Sequence, residues 1–176
     1  LGNGIMILWT IGGVAFAAAV MHVINRLIRV SLAAPRIQES GVPDGLPWNE
    51  VRIPTANGKT LFGWLIPASD KAPALVILHG WGGNSEMMLP LAKPLHKAGY
   101  TLLFLDARSH GRSDSDSFSS LPRFAEDLEH AADWLQEKNC APLGSIGVVG
   151  HSVGAGAALL LASRRKDLAV VVSLAA

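Results

Sequence analysis

The sequence predicts an α/β fold: a mostly parallel sheet with helices on both faces, preceded by one N-terminal transmembrane helix. Three observations carry this. Short, continuous apolar runs of the kind buried on both faces of a sheet recur along the chain, helix-periodic segments separate them, and Asn57-Gly58 joins two earlier strand-like segments as a hairpin. Strands that alternate with helices build a parallel sheet, and the leading antiparallel hairpin makes it mixed.

Ile5 to Ile24 reads IMILWTIGGVAFAAAVMHVI, twenty residues without a formal charge. At about 1.5 Å per residue it reaches about 30 Å, the thickness of a bilayer core. Gly12-Gly13 would weaken a soluble helix but is common in membrane helices. A signal peptide would show a basic start, a shorter apolar core and a small-residue cleavage site. Here no Lys or Arg precedes the run, and Arg26 and Arg29 follow it. Residues 1–30 are therefore expected to be a single-pass anchor. Arg26, Arg29 and Arg36 on its C-terminal side put the remainder in the cytoplasm by the positive-inside rule. A basic stretch ahead of Leu1 would reverse that orientation, since the sequence does not begin with Met.

Residues 31–48 read as a linker, with three prolines and two glycines between Ala34 and Pro47. Residues 49–176 read as the catalytic-type domain. Glu50–Thr55 and Thr60–Ile66 flank the turn Ala56–Lys59. Ala74–Leu78 (ALVIL), Thr101–Leu105 (TLLFL), Ile146–Val149 and Leu168–Leu174 are expected strands. Glu86–Ala98, Leu121–Lys138 and Val153–Arg164 are expected helices. The middle helix carries an apolar stripe of Leu121, Phe124, Leu128, Ala132 and Leu135, with Glu126, Asp127, Glu129, Asp133 and Glu137 as a solvated face. Leu168–Ala176 (LAVVVSLAA) is a bare hydrophobic strand with no polar cap, and an exposed edge of that kind is normally covered. The domain is thus expected to be incomplete at its C-terminus, cut after about its sixth strand.

Charge and cysteine usage exclude several functions. All fourteen acids lie at or after Glu39, and three of the fifteen Lys/Arg precede it, so the globular part is weakly acidic. It offers no basic face for nucleic acid. The single cysteine, Cys140, cannot form an intrachain disulfide and reads as half-buried at a helix end. The six histidines are scattered without zinc-type spacing, so neither a metal nor another cofactor is expected.

The chemistry concentrates in two glycine-rich segments. Gly150-His151-Ser152-Val153-Gly154 lies between an expected buried strand and a helix, the setting of a G-x-S-x-G nucleophile elbow. Gly150 and Gly154 leave the turn nearly free of side chains, and Ala155 and Gly156 let the helix start close against the sheet. Ser152 then projects from the sheet's C-terminal edge as candidate nucleophile, with the helix N-terminus behind it. His79-Gly80-Trp81-Gly82-Gly83-Asn84 follows the ALVIL strand, where a second donor to a developing oxyanion is supplied. The expected donors are the N–H groups of Trp81 and Val153, with His79, Gly80 and His151 in support. A plain glycine-rich turn is the bland alternative; a phosphate loop would need a Gly-Lys-Ser/Thr ending, which is missing.

Thr55-Ala56-Asn57-Gly58 leading to Gly63-Trp64, then HGWGGN, Asp106-Ala107-Arg108-Ser109-His110-Gly111-Arg112-Ser113, and GHSVG stand in family order. The chain resembles serine-type α/β-hydrolases, especially membrane-anchored esterase-, lipase- or peptidase-like members, from about Val51 to Ala176. The resemblance implies a serine hydrolase acting through an acyl-Ser152 intermediate. It implies an Asp or Glu and then a His after later strands, both beyond Ala176, and so an inactive chain as it stands. It also implies that His151 points away from the site as a packing residue and that the Asp-x-Arg loop is structural. His79 braces the oxyanion loop or, as the lesser alternative, acts as base, and His110, near Asp106 and Asp114, is a minor candidate base. Trp81, Met87 and Met88 either line the site or pack the helix. An acyl substrate, made plausibly lipid-like by the anchor, is one reading. A non-catalytic binding or scaffold protein without a complete triad is the second, and another chemistry on the same fold is the third.

Overall fold

The computed structural model describes residues 2–175, so the expected limits at Leu1 and Ala176 lie outside the described residues. The chain divides into two compact units, up to Ala33 and from Ala34 onward. The first is one helix, α1 (Gly2–Ser31), which continues past Ile24 through Arg26 and Arg29. Its Leu8–Ser31 stretch is long and apolar enough to cross a membrane, and none of it is buried. An anchor and a signal segment share that property.

The second unit is built on six strands among the described residues: β1 (Asn49–Thr55), β2 (Lys59–Ile66), β3 (Ala74–Leu78), β4 (Thr101–Leu105), β5 (Ile146–His151) and β6 (Val171–Leu174). Their order is β1-β2-β4-β3-β5-β6. The first two pairings, β1 with β2 and β2 with β4, are antiparallel; β4, β3, β5 and β6 run parallel. The sheet is mixed for the expected reason. Asn57 and Gly58 adopt left-handed backbone (φ 61° and 64°) and close the hairpin, with Thr55 paired to Lys59.

Every residue of β3 and β4 is buried. Alternate residues face opposite layers. Ala74, Val76, Leu78, Leu103 and Leu105 pack with Phe124, Leu128, Leu135 and Leu161 of helices α3 (Leu121–Glu137) and α4 (Val153–Arg164). Leu75, Ile77, Leu102 and Phe104 pack with Phe62, Trp64, Met88 and Ala92 on the other face. Two-sided burial is what made these strands continuous apolar runs.

Three expectations change. The helix expected over Glu86–Ala98 is a 3-10 segment, Ser85–Leu91, followed by the six-residue α2 (Ala92–Lys97). Pro90 and Pro94 lack the N–H groups that a continuous α-helix needs there. The face of α3 expected to be solvated is not uniformly so: Asp127 is buried, and Glu126 and Asp133 are paired with Arg108 and Arg165. Residues 34–48 contain no helix or strand, yet they are fastened. Arg36 Nη2 donates to the Ser113 carbonyl at 2.8 Å, Asn84 Nδ2 to the Ile37 carbonyl at 3.1 Å, and the Ser40 N–H to Glu86 Oε2 at 2.7 Å. Cys140 is half-buried just beyond α3, as expected.

Candidate active site

Strands β3 and β5 are parallel neighbours with Leu78 opposite Gly150, so the segments that leave them emerge side by side at the sheet's C-terminal edge. The motifs after β3 and within the β5–α4 junction are thereby brought together. A Cβ placed on Gly80 would lie 3.0 Å from the Ser152 Cβ. A side chain at this position would force the two loops slightly apart, and glycine lets them approach without that shift.

Ser152 is the hinge between β5 and α4. Its backbone sits at φ 54° and ψ −118°, a region that non-glycine residues rarely occupy. Such a conformation costs on the order of 1–3 kcal/mol and persists where the surroundings impose it. Here the Ser152 N–H donates to the Leu174 carbonyl at 2.9 Å, and the Ser152 carbonyl accepts from Ala155 and Gly156 N–H at 2.9 and 3.1 Å. A Cβ on Gly150 would collide with the Gly154 carbonyl, and one on Gly154 would lie 2.5 Å from the His79 carbonyl and 2.8 Å from that of Leu78. Gly156 faces α3 rather than the sheet: its Cβ would lie 2.7 Å from Leu121 Cδ1, the end of a partly exposed side chain that can move aside.

The Ser152 side chain is exposed, and among the described residues nothing hydrogen-bonds its hydroxyl. Val153, the first residue of α4, has no intrahelical acceptor for its N–H. His151 is exposed rather than packed in the core, with its ring Nδ1 against Gly80.

His79 is fully engaged. Its Nε2 accepts the Ala107 N–H at 3.1 Å, which leaves Nδ1 protonated and donating to the Gly80 carbonyl at 2.6 Å. Burial, above all, holds the ring neutral and pushes its pKa down to about 3. Both nitrogens are used, so His79 fixes the loop that starts at Gly80. The Trp81 ring, about two-fifths exposed, stacks on Phe124 with 6.5 Å between centroids and 10° between planes. His110 is buried between His79 and Phe124, each 5.1 Å away, with Nδ1 bonded to the Arg108 carbonyl at 3.0 Å. Burial lowers its pKa, and it is enclosed rather than turned to solvent. Met88 belongs to the core and Met87 is exposed.

The loop after β4 is stitched to its surroundings. Arg108 is buried with Nε 2.7 Å from Asp127 Oδ1 and is flanked by Glu126 and Asp116. Asp127 also accepts from the Arg108 N–H and from Thr55 Oγ1. Asp106 joins two loops, accepting the Ser85 N–H on Oδ1 at 2.7 Å and the Arg112 N–H on Oδ2 at 2.8 Å. The Ser113 hydroxyl accepts from Phe62 N–H and donates to the Asp106 carbonyl, both at 2.7 Å.

Residues 73–176 match the family model described as alpha/beta hydrolase fold. The chain belongs to the alpha/beta hydrolase fold family. Among its relatives, a polyketide transferase from a Penicillium species is 32% identical over 133 residues, covering 74% of this chain and 45% of that protein. An sn-1-specific diacylglycerol lipase from Xenopus laevis is 33% identical over 105 residues, 59% of this chain and 32% of its own. Among solved structures, an esterase of Pyrococcus furiosus superposes with a TM-score of 0.73 at 29% identity, covering 81% of this chain and 55% of its own. This hydrolase-family chain therefore spans about half the length, or less, of the relatives it matches, and they include an esterase, a diacylglycerol lipase and a polyketide transferase.

Asp127 and Glu39 escaped the sequence reading as partners around the site. Asp127 had a signal: it lies three residues after Phe124 and four before Ala131, inside the buried stripe, where a lone acid must find a buried cation. Glu39 had none, since it stands in a segment without periodicity.

Proposed function

We propose that this hydrolase-family protein is a serine hydrolase or acyl transferase that forms an acyl-enzyme on Ser152. One observation carries the reading: an exposed serine hydroxyl, held in a strained backbone conformation at a strand–helix junction, beside a loop that permits close approach. Attack by Ser152 Oγ on an acyl carbonyl breaks the bond to the leaving group and builds negative charge on the carbonyl oxygen. Trp81 N–H and Val153 N–H are the proposed donors to that oxygen, each supplied by backbone and so fixed before the reaction. Water or an acceptor alcohol then takes the acyl group. Whether the acyl group goes to water or to another acceptor divides esterase-like from transferase-like relatives, and an ester of lipid-like character suits the family's lipase and esterase members.

None of the described histidines is assigned as the general base. His79 has both nitrogens occupied and His110 is enclosed. In this fold the acid and then the histidine follow the nucleophile in chain order, and the reading takes both from sequence after Ala176. It also takes α1 as a single-pass anchor, with the hydrolase unit on the cytoplasmic side by the Arg26, Arg29 and Arg36 bias. The absence of a bonded imidazole at Ser152 is equally what a non-catalytic binding protein on this fold would show, which makes that the second reading.

Fluorophosphonate labelling of the full-length polypeptide in membranes separates the two. The catalytic reading predicts labelling that disappears in Ser152→Ala. Labelling that survives that substitution, or none in the wild type, rejects the catalytic reading.

A further inference from the structure

We propose that Pro35–Gly41 is a clasp over the Gly80–Asn84 loop, and that it is locked by one proton shared between the Glu39 and Asp106 carboxyl groups. The clasp is built from contacts spread along the segment. Pro35 seats on Gly82, where a Cβ would lie 3.0 Å from Pro35 Cγ. Asn84 Nδ2 donates to the Ile37 carbonyl at 3.1 Å, and the Ser40 N–H and hydroxyl donate to Glu86 at 2.7 and 3.1 Å. Arg36 ties the same segment to the Ser113 carbonyl and, at 3.1 Å, to Ser115 Oγ. A segment that packs on Gly82 and bonds Asn84 restrains the loop that carries the Trp81 N–H.

Glu39 is the anomaly that points to a lock. Both of its carboxyl oxygens are closed off from solvent, and neither has a hydrogen-bond donor. The oxygen beside it belongs to another carboxyl: Glu39 Oε1 and Asp106 Oδ2 both crowd the place where a Gly111 side chain would stand. Asp106 is itself buried and already accepts from Ser85 and Arg112 N–H. Two ionised carboxyls in that position repel at short range with little water to screen them, whereas a single proton turns the repulsion into an O–H···O bond.

The remaining facing groups do not remove the need for it. Arg112 lies on the same loop as Asp106, but its guanidinium is spent on Glu50 and on the Phe62 ring, 4.0 Å from its centroid. His79 faces Glu39 from the end of β3 and is neutral. Arg36 and Glu86 are engaged with Ser113 and Ser40. In keeping with this geometry, burial first and the Asp106 carboxyl second push the Glu39 pKa up to about 7.

The sign follows. Glu39 holds a proton more tightly in the closed clasp than when released, where it returns to the ordinary value of 4.5. The lock is therefore complete below about pH 4.5 and is lost as pH rises through about 7, with opening favoured by up to about tenfold per pH unit between. The lock is independent of the role given to Ser152. Its effect on the Trp81 donor rests on the function proposed above.

The test is hydrogen exchange of the full chain in detergent micelles from pH 5 to pH 8, expressed as protection so that the intrinsic pH dependence divides out. The expected result is that protection of 35–43 and 80–86 falls about tenfold or more while β3, β4 and β5 stay protected. In Glu39→Gln, whose amide donates to Asp106 without titrating, protection should stay flat. Ser152→Ala should retain the wild-type pH profile, so loss of the nucleophile reading would leave this result standing. A flat wild-type profile, or the same fall in Glu39→Gln, overturns the lock. Should Glu39→Gln lower protection in the core strands as well, carbon-13 titration of the wild-type glutamates decides alone. One carboxyl must titrate near pH 7, and its pKa must fall in Asp106→Ala; no glutamate titrating above pH 6, or a pKa unchanged in Asp106→Ala, overturns the proposal.

Discussion

Two loops at the same edge of the sheet handle polar groups in opposite ways. In the loop after β4, Asp106, Arg108, Ser113 and Asp114 are tied to β2, α3 and the 3-10 segment by short hydrogen bonds, and Arg108 is buried among three carboxylates. At the β5–α4 junction, Ser152 leaves its hydroxyl unbonded and accepts an unfavourable backbone conformation instead. In the first loop Asp106, Arg108, Ser113 and Asp114 all have hydrogen-bond partners, while His110 Nε2 is buried without one. The loop after β3, whose Gly80 lies against Ser152, is held in place by the first, through the Ala107 N–H on His79 and His79 on the Gly80 carbonyl. The difference teaches where to look for chemistry: in an exposed, unbonded group that a bonded frame holds still.

The sharpest way to break the comparison is to remove the frame. Asp127→Ala leaves Arg108 buried with poorer compensation, and breaking a buried pair of this kind costs about 3–5 kcal/mol. Chemical denaturation should show that loss in unfolding free energy, and a cost below about 1 kcal/mol would show that Arg108 is not held by Asp127.

Next comes the contact between frame and elbow. Gly154→Ala puts a methyl group against the His79 and Leu78 carbonyls, and overpacking of this kind costs about 1–3 kcal/mol. The same denaturation curve checks it. Ser152→Gly acts in the other direction: relieving the positive φ should raise stability by about 1 kcal/mol while abolishing fluorophosphonate labelling. A variant that loses both would place Ser152 in the frame rather than in the site.

A further effect is in acid. His79 has a folded-state pKa of about 3, below its ordinary 6.5, so the unfolded chain binds more protons between those values. The stability linked to His79 is present above pH 6.5 and is lost as pH falls toward 3. Unfolding free energy measured from pH 7 to pH 4 should fall less steeply in His79→Gln than in the wild type. Equal slopes would mean that the ring is not held neutral.

Much of the fold was legible because burial imprints on sequence wherever a strand is covered on both faces: ALVIL and TLLFL sit where expected, and Asn57-Gly58 turned the hairpin. The elbow was legible through Gly150 and Gly154, since carbonyls occupy the space their side chains would need. What stayed hidden depends on partners remote in the chain. Asp127 looked solvated because its cation lies nineteen residues earlier, and Glu39 looked like linker because its partner lies in the loop after β4. The 3-10 segment departs from the expected α-helix because Pro90 and Pro94 lack the N–H groups that a continuous helix would use.

The central claim, that Ser152 is the reactive group, is tested most directly by locating a fluorophosphonate adduct in the full-length protein by tandem mass spectrometry. Cleavage at Lys and Arg yields the peptide Asn139–Arg164, which contains Ser145, Ser152 and Ser163. An adduct on Ser152 alone is the predicted result. An adduct on either of the other two serines, or an unmodified peptide, would contradict it.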